Sequence, residues 1–239
     1  MNTSFEYRLA SRKALDGKWP LSVAFVFICN LFGAQSLPSI PNFNLQHDLD
    51  NLGLWPENLQ ATSYQGFSIF LIVLAILSII LGSTLRIGLS KYFIALHDGK
   101  DPSFKTITEP FSGQFVQAVI AKIVISIIVY IGLFLFIIPG IIALYGLFLT
   151  PYLMADDPKL SAIDAIKKSW ELMKGKKGKL FVLHLSFLGW FLLSAVLVWT
   201  IIAPLAFATY VESAGAAFYL DAVGEPLDKN QPIDIEIKD

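Results

Sequence analysis

Six stretches of this chain are too apolar and too long to be left in water, and they restrict the fold before any other feature does. A helix that crosses a bilayer needs about 20 mostly apolar residues, because the hydrocarbon core is about 30 Å thick and each residue rises about 1.5 Å. Trp19 to Leu37, Gly66 to Leu85, Phe115 to Ile138, Pro139 to Ala155, Leu180 to Trp199 and Ile202 to Leu220 approach that length. Only 15% of the 239 residues are charged against 55% apolar, whereas a soluble domain carries about a quarter charged residues. The expected fold is an all-α polytopic transmembrane bundle of about six spans, with amphipathic helices on its cytoplasmic surface.

Proline and glycine punctuate the runs. At Pro139-Gly140 the missing N–H ends one helix and suits the first turn of the next, predicting a tight hairpin, and Pro151 predicts a kink near the end of the fourth span. Read as one helix, 180–220 would make a rod of about 60 Å, twice the bilayer core, so two crossings broken near Pro204 fit better.

Lysine and arginine give the orientation, because cationic residues in short loops stay on the cytoplasmic side. Seventeen of the 18 fall into four groups: 8–18, 86–105, 159–179 and 229–238. With six crossings all four lie on one face, and the opposite loops carry none. The long external loop, 38–65, holds Asp48, Asp50 and Glu57 instead. The expected division is a cytoplasmic N-terminal helix (1–18), a membrane domain (19–221) and an acidic cytoplasmic tail (222–239). A rival reading takes 1–36 as a cleaved signal peptide, but that leader is long, itself helical in pattern, and its removal would leave five crossings.

Two apolar stripes extend onto the cytoplasmic surface. Leu85, Leu89, Tyr92, Phe93 and Leu96 repeat at helical spacing, so the second span is expected to continue until His97-Asp98-Gly99 stops it. Leu160, Ile163, Ile166, Trp170 and Met173 form the second stripe, an amphipathic helix over 160–174 with Ser161 and Asp164 at capping-box spacing. Lys167, Lys168, Lys174, Lys176, Lys177 and Lys179 would meet anionic lipid headgroups, each worth about 1 kcal/mol. No aromatic-rich nucleic-acid fold accompanies them, so nucleic acid is not an expected partner.

The chain resembles a bacterial family of multipass membrane proteins known as domain of unknown function 975. The resemblance rests on Arg12-Lys13-Ala14-Leu15 with Gly17-Lys18-Trp19, on Ile138-Pro139-Gly140-Ile141-Ile142, and on Pro151-Tyr152 with Ala155-Asp156-Asp157-Pro158. Its most specific part is Ala165-Ile166, Ser169, Leu172-Met173 and Gly175, followed by Leu185-Ser186-Phe187-Leu188-Gly189-Trp190, and Phe218-Tyr219 also fits. Pro204-Leu205 stands where the family has a Pro-Tyr pair. The resemblance implies the bacterial cytoplasmic membrane and no settled activity, and the lysine and arginine groups place both termini inside.

Chemistry is sparse. The sequence has no phosphate-binding glycine loop, zinc-protease helix or Gly-x-Ser-x-Gly turn, and its three histidines, His47, His97 and His184, are scattered. Cys29 is alone and reads as a small buried hydrophobe. No cofactor, metal or enzymatic activity is expected.

Ionisable residues inside the apolar runs are the remaining candidates, because charge is costly in lipid. Counting inward from the cytoplasmic ends puts Lys122 about 10 Å deep, Glu212 about 13 Å and His184 about 6 Å. Glu212 is expected to face the bundle interior with Lys122 as its partner; the plainer alternative has Lys122 snorkelling to the headgroups. His184 and Asn30 are secondary candidates. Gly132, Gly140, Gly146 and Gly189 offer small surfaces for close helix packing.

Three functions compete: a structural or regulatory membrane protein whose basic face engages anionic lipid or a partner, a transporter of a small solute or lipid with a polar site in the inner half of the bundle, and a membrane-embedded enzyme or accessory. A second copy or another membrane protein is an open partner. A packed interior favours the first function, and a continuous polar cavity reaching Glu212 favours the second.

Overall fold

The computed structural model describes residues 2–31, 62–196 and 202–225, and every regular element in them is a helix. In chain order they are α1 (Ser4–Leu15), α2 (Trp19–Leu31), α3 (Thr62–His97), α4 (Phe104–Thr108), a 3-10 turn (Glu109–Ser112), α5 (Phe115–Leu135), α6 (Ile137–Gly146), α7 (Thr150–Asp156), α8 (Ala162–Leu172), α9 (Lys177–Ser186), α10 (Leu188–Val196) and α11 (Ile202–Val223). Residues 38–61 of the expected external loop, the turn at Trp199 and residues 226–239 of the expected tail lie outside the described residues, while 62–65 belong to α3 and 222–223 to α11.

α3 is the axis of the bundle. Its 36 residues span about 54 Å, and α1, α2, α4, α5, α7 and α11 all pack on it. The expected continuation of the second span to His97 is present as one unbroken helix, with Leu89, Tyr92, Phe93 and Leu96 buried. Gly99 ends it at φ +72°, where the Lys100 amide donates to the Ala95 carbonyl and the Gly99 amide to that of Leu96. A left-handed residue is needed there, and glycine adopts it without a Cβ penalty. The Lys91–Glu109 ion pair, 2.8 Å, ties the 3-10 turn back to α3.

The hairpin of α5 and α6 breaks at Phe136, three residues before the Pro139 at which the sequence predicts it. Phe136, in extended backbone, makes the break, and Pro139 falls inside the first turn of α6, where its missing N–H costs nothing. Behind the turn the helices touch backbone to backbone: a Cβ on Gly132 would stand 2.9 Å from the Gly140 Cα. Outward, the hairpin is apolar, with Phe134 93% exposed and Phe136, Ile137 and Ile138 each exposed by 70% or more. Two described stretches, Phe115–Leu135 and Ile137–Asp156, are long and apolar enough to cross a membrane, and Trp19–Asn30 is a shorter apolar helix. Only 17% of the α5 stretch is buried, whereas the core helix of a soluble protein would be mostly covered.

Three further expectations are adjusted. The fourth predicted span divides into α6 and α7 with Pro151 in the first turn of α7, and the fifth divides into α9 and α10 at Phe187. α8 covers the middle of the predicted amphipathic helix, but its inward face differs: Ala162, Ala165, Ile166 and Ser169 are buried, whereas Ile163 and Trp170 are 44% and 37% exposed. Small residues win that face because α8 docks closely on α5, α6 and α7. The Ser169 hydroxyl donates to the Gly146 carbonyl at 3.0 Å, and Gln117 Oε1 accepts from the Ala162 amide at 3.0 Å. Ser161 caps α8 by accepting from the Asp164 amide, and its hydroxyl donates to the Asp164 carboxylate at 2.6 Å. The shorter Asp side chain thus takes the hydroxyl and not the cap amide that Glu would reach.

Candidate functional site

Small residues prepare the centre of the bundle. On α3, Gly82, Ser83 and Thr84 precede Arg86, and the Ser83 and Thr84 hydroxyls donate to the Ile80 carbonyl of their own helix. On α11, Ser213, Ala214, Gly215, Ala216 and Ala217 follow Glu212; the helix packs on α3, and Gly215 and Tyr219 bring it against Tyr152 of α7. Gly215 is required for this: a Cβ there would stand 2.6 Å from the Tyr152 hydroxyl.

Into that space α3 directs Arg86, 8% exposed, and α11 directs Glu212, 9% exposed. Arg86 Nη1 donates to Glu212 Oε2 at 2.5 Å, and Nη2 donates to the Tyr152 hydroxyl at 3.3 Å. The guanidinium also stands 5.5 Å from the centre of the Tyr152 ring. Tyr152 stacks on Tyr219 with ring centres 5.6 Å apart, and the Tyr219 hydroxyl donates to Asp156 Oδ2 at 3.0 Å. A polar thread therefore runs from Glu212 through Arg86 to two tyrosines and ends on Asp156.

Arginine suits this position better than lysine, since its planar fork serves a carboxylate and a hydroxyl at once while its face meets an aromatic ring. The pair is costly to desolvate but costlier to break, because either partner left alone is a buried charge.

The expected Lys122–Glu212 pair is corrected by this geometry: the cation on Glu212 is Arg86. Counting depth along a helix places Lys122 near Glu212 in height but says nothing of its side. Lys122 is half-buried and instead lines a cavity of about 90 Å³ between α3, α5, α6 and α7, with Arg86 on the wall beside it and Ser83 and Thr150 nearby. That volume holds a few waters or a small ion, well below the 300 Å³ or so at which pockets for larger ligands begin.

His184 stands one ring away, its centre 5.6 Å from Tyr145 and 5.7 Å from Phe148, and Phe148 in turn packs on Tyr152. Asn30, in the last turn of α2, is half-buried and does not line the cavity. Arg86 is not distinguished in the sequence as a partner for Glu212, because it stands with Lys91, Lys100 and Lys105 just after the second apolar run. The available signal was its place on the same turn as Gly82, Ser83 and Thr84, where an arginine has room to turn inward.

Beyond the predicted span, His97 is also buried, and its Nε2 lies 3.0 Å from the Ser213 carbonyl and 3.1 Å from the Ser213 hydroxyl. Burial pushes its imidazole from 6.5 down to about 4, so the ring is neutral at pH 7.

The six lysines expected at headgroups divide. Lys167, Lys168, Lys174 and Lys179 are exposed. Lys176 Nζ donates to the Ala222 carbonyl at 2.7 Å, completing the C-terminus of α11, and Lys177 Nζ stands 3.7 Å from the centre of the Trp170 ring. Those two are held within the fold because the turn between α8 and α9 brings them back over the bundle. Among the described residues no three His, Cys, Asp or Glu side chains gather as a metal site needs.

Among the described residues the arrangement is an all-helical bundle with a buried ion pair at its centre and two stretches long and apolar enough to cross a membrane. Residues 124–224 match a family model described as "Protein of unknown function (DUF975)", which supports assignment to the domain-of-unknown-function 975 family. The match takes in Glu212, Tyr152 and Tyr219, while Arg86, Lys122 and the Arg12-Lys13-Ala14-Leu15 phrase precede it. No curated protein and no solved structure matches the chain.

Proposed function

We propose that this is a six-span protein of the bacterial cytoplasmic membrane, with both termini inside, whose role is structural or regulatory and whose basic cytoplasmic face engages anionic lipid. The observation that carries the choice is the closure of the inner half of the bundle: Arg86, Glu212 and Tyr152 satisfy one another, and the cavity beside them has only about 90 Å³. Transport of a solute needs a route, and a knot of this kind obstructs one. The outward apolar hairpin supports the membrane setting, since an aqueous surface would leave Phe134, Phe136, Ile137 and Ile138 unsatisfied together. Lys167, Lys168, Lys174 and Lys179 supply the exposed basic face.

The membrane reading is tested by accessibility tags at Asp50 and Gly175, which are expected to report opposite compartments. Tags that report from the same compartment overturn the six-span topology. The role is tested by deleting the gene: sensitivity to envelope stress without a defect in solute uptake supports it, and an uptake defect rescued by wild type but not by a variant with a plugged cavity (Ala121→Phe) favours the transporter reading.

A further inference from the structure

A cavity several times larger than the one at Arg86 lies elsewhere in the described structure. It measures about 660 Å³ and lies between α1, the start of α2, α10 and α11. Its walls are mostly apolar, from Leu9, Trp190, Ala206 and Phe207 among others, and only α1 brings charge to it, as Arg8 and Arg12. These arginines are four residues apart and so share one face of α1.

α1 is held in place by its other face. The Tyr7 hydroxyl donates to Asp221 Oδ2 at 2.7 Å, the Tyr7 ring meets Phe218 edge to face, and the Tyr210 hydroxyl donates to the Arg8 carbonyl at 3.1 Å. This anchoring fixes Arg8 and Arg12 over the cavity. Among the described residues neither guanidinium has a carboxylate within 4.0 Å, and Arg8 Nε is buried without a hydrogen-bond partner. Two cations at one rim of an apolar groove, one with an unmet donor, complement a molecule with an anionic head and a hydrocarbon tail.

We infer that this groove binds one anionic phospholipid of the cytoplasmic leaflet, its phosphate on Arg8 and Arg12 and an acyl chain laid between α10 and α11. The inference rests on the membrane reading above and gives the lipid a defined seat that a diffuse lysine surface does not have. Guanidinium groups suit the phosphate because they donate in pairs. Trp19 and Trp190 on the groove wall present the amphipathic rings favoured at headgroup level and below it. A volume of this size falls in the range of ligand pockets, in contrast to the cavity at Arg86.

The test is native mass spectrometry of the full chain in detergent, titrated with phosphatidylglycerol or with phosphatidylcholine carrying the same acyl chains. Glycerophosphoglycerol and inorganic phosphate serve as chain-free probes. The wild type is expected to retain one phosphatidylglycerol in preference to phosphatidylcholine, and the chain-free probes are expected to bind far more weakly. Arg8→Gln with Arg12→Gln is expected to reduce the preference about thirtyfold, from two cations worth about 1 kcal/mol each. Removing the same charge elsewhere, by Lys105→Gln with Lys159→Gln, is expected to leave it intact.

Ala206→Phe, which narrows the groove and leaves both arginines, is expected to lower the occupancy of both lipids and carries the test if the arginine variant does not fold. Equal losses in the arginine and lysine variants, or equal binding of the chain-free probes, would overturn the inference. Those results leave the topology untouched, whereas tags that contradict the topology remove both readings.

Discussion

Replacing Glu212 by Gln preserves shape and removes one charge, which leaves Arg86 ionised in a site where it is only 8% exposed. The guanidinium then keeps a neutral acceptor from the amide and its contact with Tyr152 at 3.3 Å, but loses the carboxylate at 2.5 Å. Breaking a buried pair in this way costs about 3–5 kcal/mol. For a chain of 239 residues about 2–4 °C of melting temperature corresponds to each kcal/mol, so a fall of roughly 6–20 °C is expected. Thermal unfolding of the purified protein in detergent, followed by the fluorescence of its five tryptophans, measures it. Arg86→Met should cost a similar amount, and the double variant should cost much less than the sum, because no isolated charge remains. Lys122→Met combined with Glu212→Gln should show a smaller coupling than Arg86→Met with Glu212→Gln, because Lys122 reaches Glu212 only through Arg86, which lines the cavity beside it. The reasoning is refuted if Glu212→Gln melts within about 1 °C of wild type, or if the coupling appears with Lys122 and not with Arg86.

Two further substitutions read the packing and the acid response. Gly146→Ala sets a methyl 2.6 Å from the Trp170 ring and 3.2 Å from Lys177, so the ring must shift and the docking of α8 loosens; faster proteolysis after Lys167 or Lys168 with little change in the rest of the bundle is the expected result. His97, neutral when folded with its imidazole near 4 and 6.5 when exposed, refuses a proton that the unfolded chain accepts. Stability from this group is therefore constant above about pH 6.5, falls as pH drops toward 4 and is level below that, a difference of about 3 kcal/mol over the window. Burial is the main cause of this shift, opposed in part by the hydrogen bond to Ser213 and by the charge of Asp98. His97→Gln, compared with wild type at pH 7 and pH 5, should lose that part of the melting-point shift, and an unchanged shift would place the acid response elsewhere.

Local order was legible in the sequence wherever one element dictates it. The end of α3 at His97-Asp98-Gly99 follows from glycine's freedom at positive φ, and Pro139 signals a hairpin nearby because it is tolerated only in the first turn of a helix, although the break itself falls at Phe136. Helical periodicity likewise gave the buried stripe of α3, and Gly132 and Gly140 meet at the hairpin as small residues should. By contrast, Gly189, expected at a close contact, faces open space, because a small residue permits an approach without causing one.

What only the tertiary structure decided is who meets whom across the bundle. Sequence fixes the height of Lys122 and Arg86 along their helices, but rotation about the helix axis and the reach of each side chain turn Arg86 to Glu212 and Lys122 to the cavity. The same holds for the basic face: Lys176 and Lys177 are indistinguishable from Lys174 and Lys179 as letters, yet a turn brings the first two onto Ala222 and Trp170. The groove between α1, α10 and α11 is the extreme case, since Arg8 and Ala206 are 198 positions apart and no periodicity links them. Hydrophobic partition and backbone hydrogen bonding are properties of a segment, whereas ion pairing and cavity shape are properties of an arrangement, and only the folded chain supplies the arrangement.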